Sequence, residues 1–181
     1  LPISGAPKQE VAAAPPVRTV ALLGRDYVGM KPTMAVGEGD RVQLGQVLFT
    51  DKKRPAIAFT APGAGKVLAI HRGERRAFLS LVIELDEEGK EEISFKAFPD
   101  GKLLDLSRET VVEQLLASGL WTAIRMRPYS MVADPTEVPH SLFVTAIDTN
   151  PHAPAMAQIL AGREEHFVQG LTVLSRLTAG R

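Results

Sequence analysis

Between Val36 and Gly73 short β-rich runs alternate with sharp breaks: a Gly39-Asp40 turn, a turn glycine at Gly45, and Ala61-Pro62-Gly63-Ala64-Gly65. Glycine reaches positive φ without a Cβ clash and proline withholds an amide, so these breaks mark corners where strands reverse. Around them the apolar pattern predicts strands at Arg18–Leu23, Thr33–Val36, Gln46–Asp51, Ala56–Thr60, Lys66–His71, Phe78–Leu85 and Glu92–Phe98. Strand spacing of about 8–12 residues with glycine or proline between is the pattern of a small barrel or sandwich. Asp86-Glu87-Glu88-Gly89 reads as a hairpin turn with a solvated acidic run.

The pattern changes after Asp100-Gly101. Ser107 is a good N-cap, Glu109 suits a helix N-terminus, and Val111, Val112, Leu115 and Leu116 form one apolar face. Gly119 stands where a left-handed C-cap would close that helix. Leu142–Ile147, between Pro139 and Pro151, reads as a buried strand. Pro154 suits a helix first turn, and Phe167, Leu171 and Leu174 give a further helical stripe. Helix, buried strand, helix is the grammar of an α/β layer, and one strand makes no sheet. The expected organisation is an extended, proline-rich arm over 1–17, an all-β domain over 18–100 and an incomplete α/β domain over 101–181.

Composition narrows the chemistry. The 181 residues carry 21 basic and 21 acidic side chains, a balance that argues against a nucleic-acid partner, which would call for a basic face. There is no cysteine, so disulfides, thiolate nucleophiles and cysteine-held clusters are excluded within these residues. No apolar run approaches the roughly 20 residues of a membrane helix, and Leu1–Pro16 lacks the features of a signal peptide. The chain starts at Leu1 without methionine and reads as a fragment of a longer protein.

Most familiar motifs fail. Gly63-Ala64-Gly65-Lys66 is no phosphate loop: Thr60 stands in place of the first glycine, Val67 replaces the magnesium-binding hydroxyl, and strands flank it. His71, His140, His152 and His166 form no metal-ligand spacing with one another. The stretch from Ser118 to Tyr129 is more unusual. It joins Trp121 and Tyr129, two arginines (Arg125, Arg127) and a rigid proline in a connecting loop, and connecting loops carry function disproportionately. Arginines there could hold a phosphate, a carboxylate or a partner's acidic face, or stay solvated while Trp121 packs under the barrel. Asp148, Thr149 and Asn150 follow the expected strand at its carboxyl end, where open α/β folds place ligands, although turn formation also explains them.

The order Gly39-Asp40…Gly45…Leu48, then Ala61-Pro62…Gly65, resembles the barrel-sandwich hybrid of biotinyl and lipoyl carrier domains. Asp51-Lys52 falls near the modified lysine of that family, which makes a carrier domain modified on Lys52 or Lys53 an alternative function. Arg54-Pro55 departs from the pattern. A more extensive resemblance runs through LPISGAP (1–7), VALLGRDYVGMKP (20–32), GQVLFTDKK (45–53), FTAPGAGK (59–66), AIHRGE (69–74), SGLWTAIRMRP (118–128), AIDTNP (146–151) and GLTVLSRLT (170–178). In this order they resemble the A subunit of the sodium-translocating NADH:quinone oxidoreductase.

That resemblance implies a barrel-sandwich domain followed by part of a Rossmann-like α/β domain related to the flavin-binding subunit of complex I. It implies a peripheral, non-catalytic part of a respiratory complex on the cytoplasmic face of the bacterial inner membrane. The complex passes electrons from NADH to ubiquinone and exports sodium. Partners would be the other subunits, with ubiquinone a candidate ligand and NADH, FAD, FMN and iron–sulfur centres used elsewhere in the complex. The relatives' glycine-rich FMN loop corresponds to Ser118–Pro128, which holds only Gly119, so the fragment is expected to bind no FMN. Trp121 and Tyr129 could stack on a quinone ring while Arg125 or Asn150 donates to a carbonyl. Aromatics and arginines fit an interface between subunits equally.

Overall fold

The computed structural model describes residues 5, 8, 10, 12–87, 89, 91–150 and 153–179. Residues 1–4, 6, 7, 9 and 11 of the expected N-terminal arm lie outside the described residues, as do Glu88 of the acidic turn and Pro151. The chain forms two compact units. One joins Pro16–Ala97 with Glu109–Glu137; the other contains Phe98–Arg108 and everything from Val138.

The first unit is built from antiparallel strands: β1 (Thr19–Leu23), β2 (Pro32–Met34), β3 (Arg41–Val42), β4 (Val47–Asp51), β5 (Arg54–Thr60), β6 (Gly65–Arg72) and β7 (Phe78–Leu85). One sheet has the order β1-β7-β6-β3 and the other β2-β4-β5. Alternation sends Ile57 and Phe59 from one sheet and Val67, Leu81 and Ile83 from the other into the interior, while Leu48 and Phe49, adjacent on β4 at a register shift in its pairing with β5, are both fully buried. The Phe49 ring stacks on Phe59 at 4.7 Å and meets Phe78 edge-on at 5.1 Å, which ties the two sheets together. No helix occurs between Gln46 and His71, as the pattern required.

The corners fall at the expected turns. Gly39 has φ 93° and donates to the Val67 carbonyl, while Asp40 accepts from the Gly37 amide at 2.7 Å. Gly65 lies so close to β7 that a Cβ there would stand 2.0 Å from the Glu84 carbonyl oxygen, so strand pairing requires the glycine. Beyond β7 the expectation fails. Glu92–Phe98 forms no strand, only a single bridge between Leu44 and Glu92. Ile93 and Phe95 stay partly exposed, and no further partner continues the ladder among the described residues. A run with β propensity becomes a strand only when a neighbour takes its backbone groups.

Helix α1 (Arg108–Ala117) buries Val111 and half-buries Val112, Leu115 and Leu116. Gln114 Nε2 donates to the Lys96 carbonyl at 3.0 Å. Gly119 ends the helix at φ 76°, accepting the left-handed conformation assigned to it from sequence. A 3-10 turn (Leu120–Ala123) and a small hairpin of β8 (Arg125–Met126) and β9 (Met131–Val132) complete this unit.

The second unit carries a 3-10 segment (Asp100–Asp105), α2 (Met156–Leu160), α3 (Glu164–Leu174) and a final 3-10 turn (Ser175–Leu177). Arg176 Nε donates to the Leu106 carbonyl at 3.1 Å and Thr178 Oγ1 to that of Pro139 at 2.8 Å. The expected buried strand Leu142–Ile147 is absent. The segment has no strand pairing, and Phe143 is 87% exposed. Its composition suits a buried strand, but among the described residues no neighbour accepts its hydrogen bonds.

Candidate functional site

The first unit brings three of the sequence's candidate residues onto one hairpin. Arg125 opens β8, and Arg127 and Tyr129 stand in the turn between β8 and β9, all exposed. The hairpin lies over the Tyr27–Lys31 loop. The Arg125 guanidinium carbon sits 5.0 Å from the Tyr27 ring centroid, a cation–π geometry. The Met131 methyl packs against Gly29. Tyr27 in turn meets Phe59 edge-on at 4.7 Å, which couples the loop to the core. Burial pushes the Tyr27 phenol above its usual value of 10.0, and the Arg125 charge offsets part of that rise.

Of the two roles the sequence leaves open to Trp121, a stacking platform or a residue packed under the barrel, the side chain has the packed position. It is 3% exposed, and its indole Nε1 donates to the Ala133 carbonyl at 2.9 Å. No ring face is open to a planar ligand, because the 3-10 turn after Gly119 folds the indole inward beneath the hairpin strand. Gly119 itself is pressed against β5. A Cβ there would come 2.3 Å from Thr60 Oγ1, and Thr60 donates to the Ser118 carbonyl at 3.2 Å.

Asp148, Thr149 and Asn150 belong to the other unit. Asp148 accepts from the Asn150 amide at 2.9 Å and from Asn150 Nδ2 at 2.7 Å, so its carboxylate is engaged in a local turn. The strand whose carboxyl end they were expected to occupy does not form.

Next to the β8–β9 hairpin lies a cleft of about 220 Å³ with Val28, Met30, Ile57 and Met131 on its walls. Sequence reasoning missed the charged pair on its rim. Arg54 Nε donates to Asp134 at 2.9 Å and Arg54 Nη1 to the Val132 carbonyl at 3.4 Å. Asp134 also accepts from the Thr136 hydroxyl at 2.6 Å and the Thr136 amide at 3.0 Å. These Thr136 bonds foremost, and then Arg54, hold the Asp134 carboxyl below its usual value of 3.8. Asp134-Pro135-Thr136 is a readable turn signal, but no sequence pattern links it to Arg54, 80 residues earlier.

At the tip of the β4–β5 hairpin, Lys52 and Lys53 are both exposed, and Asp51 pairs with Arg54 across the turn. Asp51 is buried and accepts from the Lys53 amide at 3.2 Å and the Lys31 amide at 3.4 Å, which fixes the turn.

Residues 1–86 match the NqrA N-terminal barrel-sandwich hybrid domain and residues 106–181 the NqrA second alpha/beta domain. The chain belongs to the NqrA family. It is 60% identical, over 98% of its length and 39% of the relative's, to the A subunit of the Na(+)-translocating NADH-quinone reductase of Pseudomonas aeruginosa PAO1. The proteins of the same name from Klebsiella pneumoniae strain 342 and Marinomonas sp. MWYL1 are 54% and 52% identical over the whole chain and 40% of theirs. The chain thus spans about 40% of the length of these curated relatives. The fold expected from sequence, a barrel-sandwich domain followed by an α/β one, is the family's. The two family domains meet between residues 86 and 106, yet Glu109–Glu137 packs with the strands of the first unit.

Proposed function

We propose that this chain is part of the A subunit of a sodium-pumping NADH:quinone oxidoreductase, supporting electron transfer to ubiquinone coupled to sodium export. The observation that carries this reading is the 60% identity to a relative of that name over 98% of the chain. Its place is peripheral, on the cytoplasmic face of the bacterial inner membrane, in contact with the other subunits. Among the described residues no helix is long and apolar enough to cross a membrane, which accords with that place.

The chain catalyses no step and holds no redox group; NADH, FAD, FMN, iron–sulfur centres and ubiquinone act in other subunits. Two features support this. The stretch corresponding to the relatives' flavin loop offers no open backbone, since Gly119 is packed on Thr60 and Trp121 is buried. The sequence also lacks the cysteines a cluster would need. Of the roles open to the β8–β9 hairpin, contact with a neighbouring subunit is better supported than quinone binding. Trp121 presents no ring face, and the adjoining cleft of about 220 Å³ is below the range of roughly 300–1,000 Å³ usual for small-molecule sites.

The test is purification of the tagged full-length chain from bacterial membranes. Sodium-dependent NADH:ubiquinone reductase activity should co-purify with it, and the polypeptide isolated alone should show no visible flavin band. Recovery without that activity would overturn the assignment. A second reading, a carrier domain, has one observation in its favour: Lys52 and Lys53 occupy an exposed two-residue hairpin tip. A lipoyl or biotinyl mass on the peptide containing Lys52 and Lys53 would establish it.

A further inference from the structure

The β6–β7 connection, Gly73-Glu74-Arg75-Arg76-Ala77, is backbone-closed: the Gly73 amide donates to the Ala77 carbonyl at 2.8 Å and the Ala77 amide to that of Glu74 at 3.0 Å. Within it Arg75 and Arg76 are both left-handed, at φ 52° and 61°. Two consecutive non-glycine residues in this region are disfavoured by Cβ contact with the backbone. Glycine or asparagine would close the same turn with less strain, and such outliers concentrate where side chains have work outside the fold. The side chains kept at that cost are exposed arginines. Arg72, exposed at the end of β6, adds a third guanidinium and reaches the Arg76 carbonyl at 3.4 Å. Among the described residues no carboxylate lies within ion-pair distance of any of the three. Leu79, which lies against Gly73, and Leu68 on β6 are about half exposed, at 51% and 53%.

We infer that this hairpin tip is a docking surface for an acidic segment of a neighbouring polypeptide, with Arg72, Arg75 and Arg76 pairing its carboxylates and Leu79 beside them against an apolar side chain. The choice of arginine favours carboxylates, because its planar fork matches them two bonds at a time. Clusters of about 4–8 basic residues are what hold a segment to anionic headgroups, and this tip offers fewer. A chain with balanced charge lacks the broad basic face that nucleic acid requires. The inference rests on the reading of the chain as one subunit of an assembly and adds the chemistry of the neighbour at one place.

The experiment uses the full-length chain in washed bacterial membranes. The double variant Arg75→Gly, Arg76→Gly removes both charges while relieving the left-handed strain. It should unfold at the same temperature as the parent or higher, yet be retained in the assembly about tenfold less well. In a second variant, Arg75→Lys with Arg76→Lys, carbodiimide treatment should join a tip lysine to an aspartate or glutamate of another polypeptide, located by mass spectrometry. Parental retention of the glycine variant, or cross-links confined to the chain's own carboxylates, would overturn the inference. So would sedimentation of the parent chain with phosphatidylglycerol vesicles that is lost in the glycine variant, since the occupant would then be lipid. Absence of NADH:quinone reductase activity from the purified assembly would refute the functional assignment instead. The tip cross-link decides the docking surface separately.

Discussion

The two compact units use similar apolar content to different effect. In the β unit, inward positions of two antiparallel sheets close on each other, and among the described residues every buried apolar side chain except Leu177 belongs to it. In the other unit Phe143, Val144, Ile147, Ile159 and Val168 are exposed. The difference is one of partners, not of composition. Hairpin-linked strands find their neighbours within a few residues, whereas a strand of an α/β layer depends on strands supplied from far along a chain.

Trp121 tests the packed side of this contrast most severely. Trp121→Ala removes a buried indole and leaves the Ala133 carbonyl without its donor, which should cost about 3–5 kcal/mol in urea unfolding of the β unit. A cost below about 1 kcal/mol would favour the exposed stacking role over the packed one, the two roles the sequence leaves open for Trp121.

Asp134 should show a smaller effect that depends on pH. Its carboxyl is held below 3.8, so the folded state favours the ionised form. The stabilisation is complete at neutral pH and is lost as the pH falls below about 4, through the lowered folded value. Asp134→Ala, which strips Arg54 and Thr136 of their acceptor, should cost about 1–2 kcal/mol at pH 7. The cost should shrink in acid, measured as midpoint against pH. A loss independent of pH would mean that packing, not charge, matters there.

Phe143 marks the other extreme. Phe143→Ser should change the stability of this 181-residue chain by no more than about 0.5 kcal/mol, because the ring is 87% exposed. A loss of several times that would show the segment already packed as a strand and erase the contrast between the units.

Much of the β unit was legible because its rules are local. Gly39-Asp40 and Gly45 announce turns through backbone freedom, Gly63 and Gly65 mark a close approach to β7, and alternation between these breaks assigns most strands their inward face. The end of α1 was legible for the same reason, since only a residue tolerant of positive φ suits position 119. The short pairs β3, β8 and β9 escaped because two residues carry no period. The candidate loop was found by its unusual composition, but its division of labour was not. Arg125 over Tyr27 and Arg54 with Asp134, the latter 80 positions apart, join residues distant along the chain, and no local pattern encodes such pairings.

The sequence by itself determined the turn positions, the strand periodicity, the helix between Ser107 and Gly119, and the family resemblance. Only the tertiary structure decided that Trp121 faces inward while Tyr129 faces out, that Arg75 and Arg76 sit strained on an exposed tip, and that Leu142–Ile147 finds no pairing. Turn and periodicity signals arise from the backbone's own steric limits, which each residue carries with it. Burial and pairing depend on which distant segment arrives to complete them.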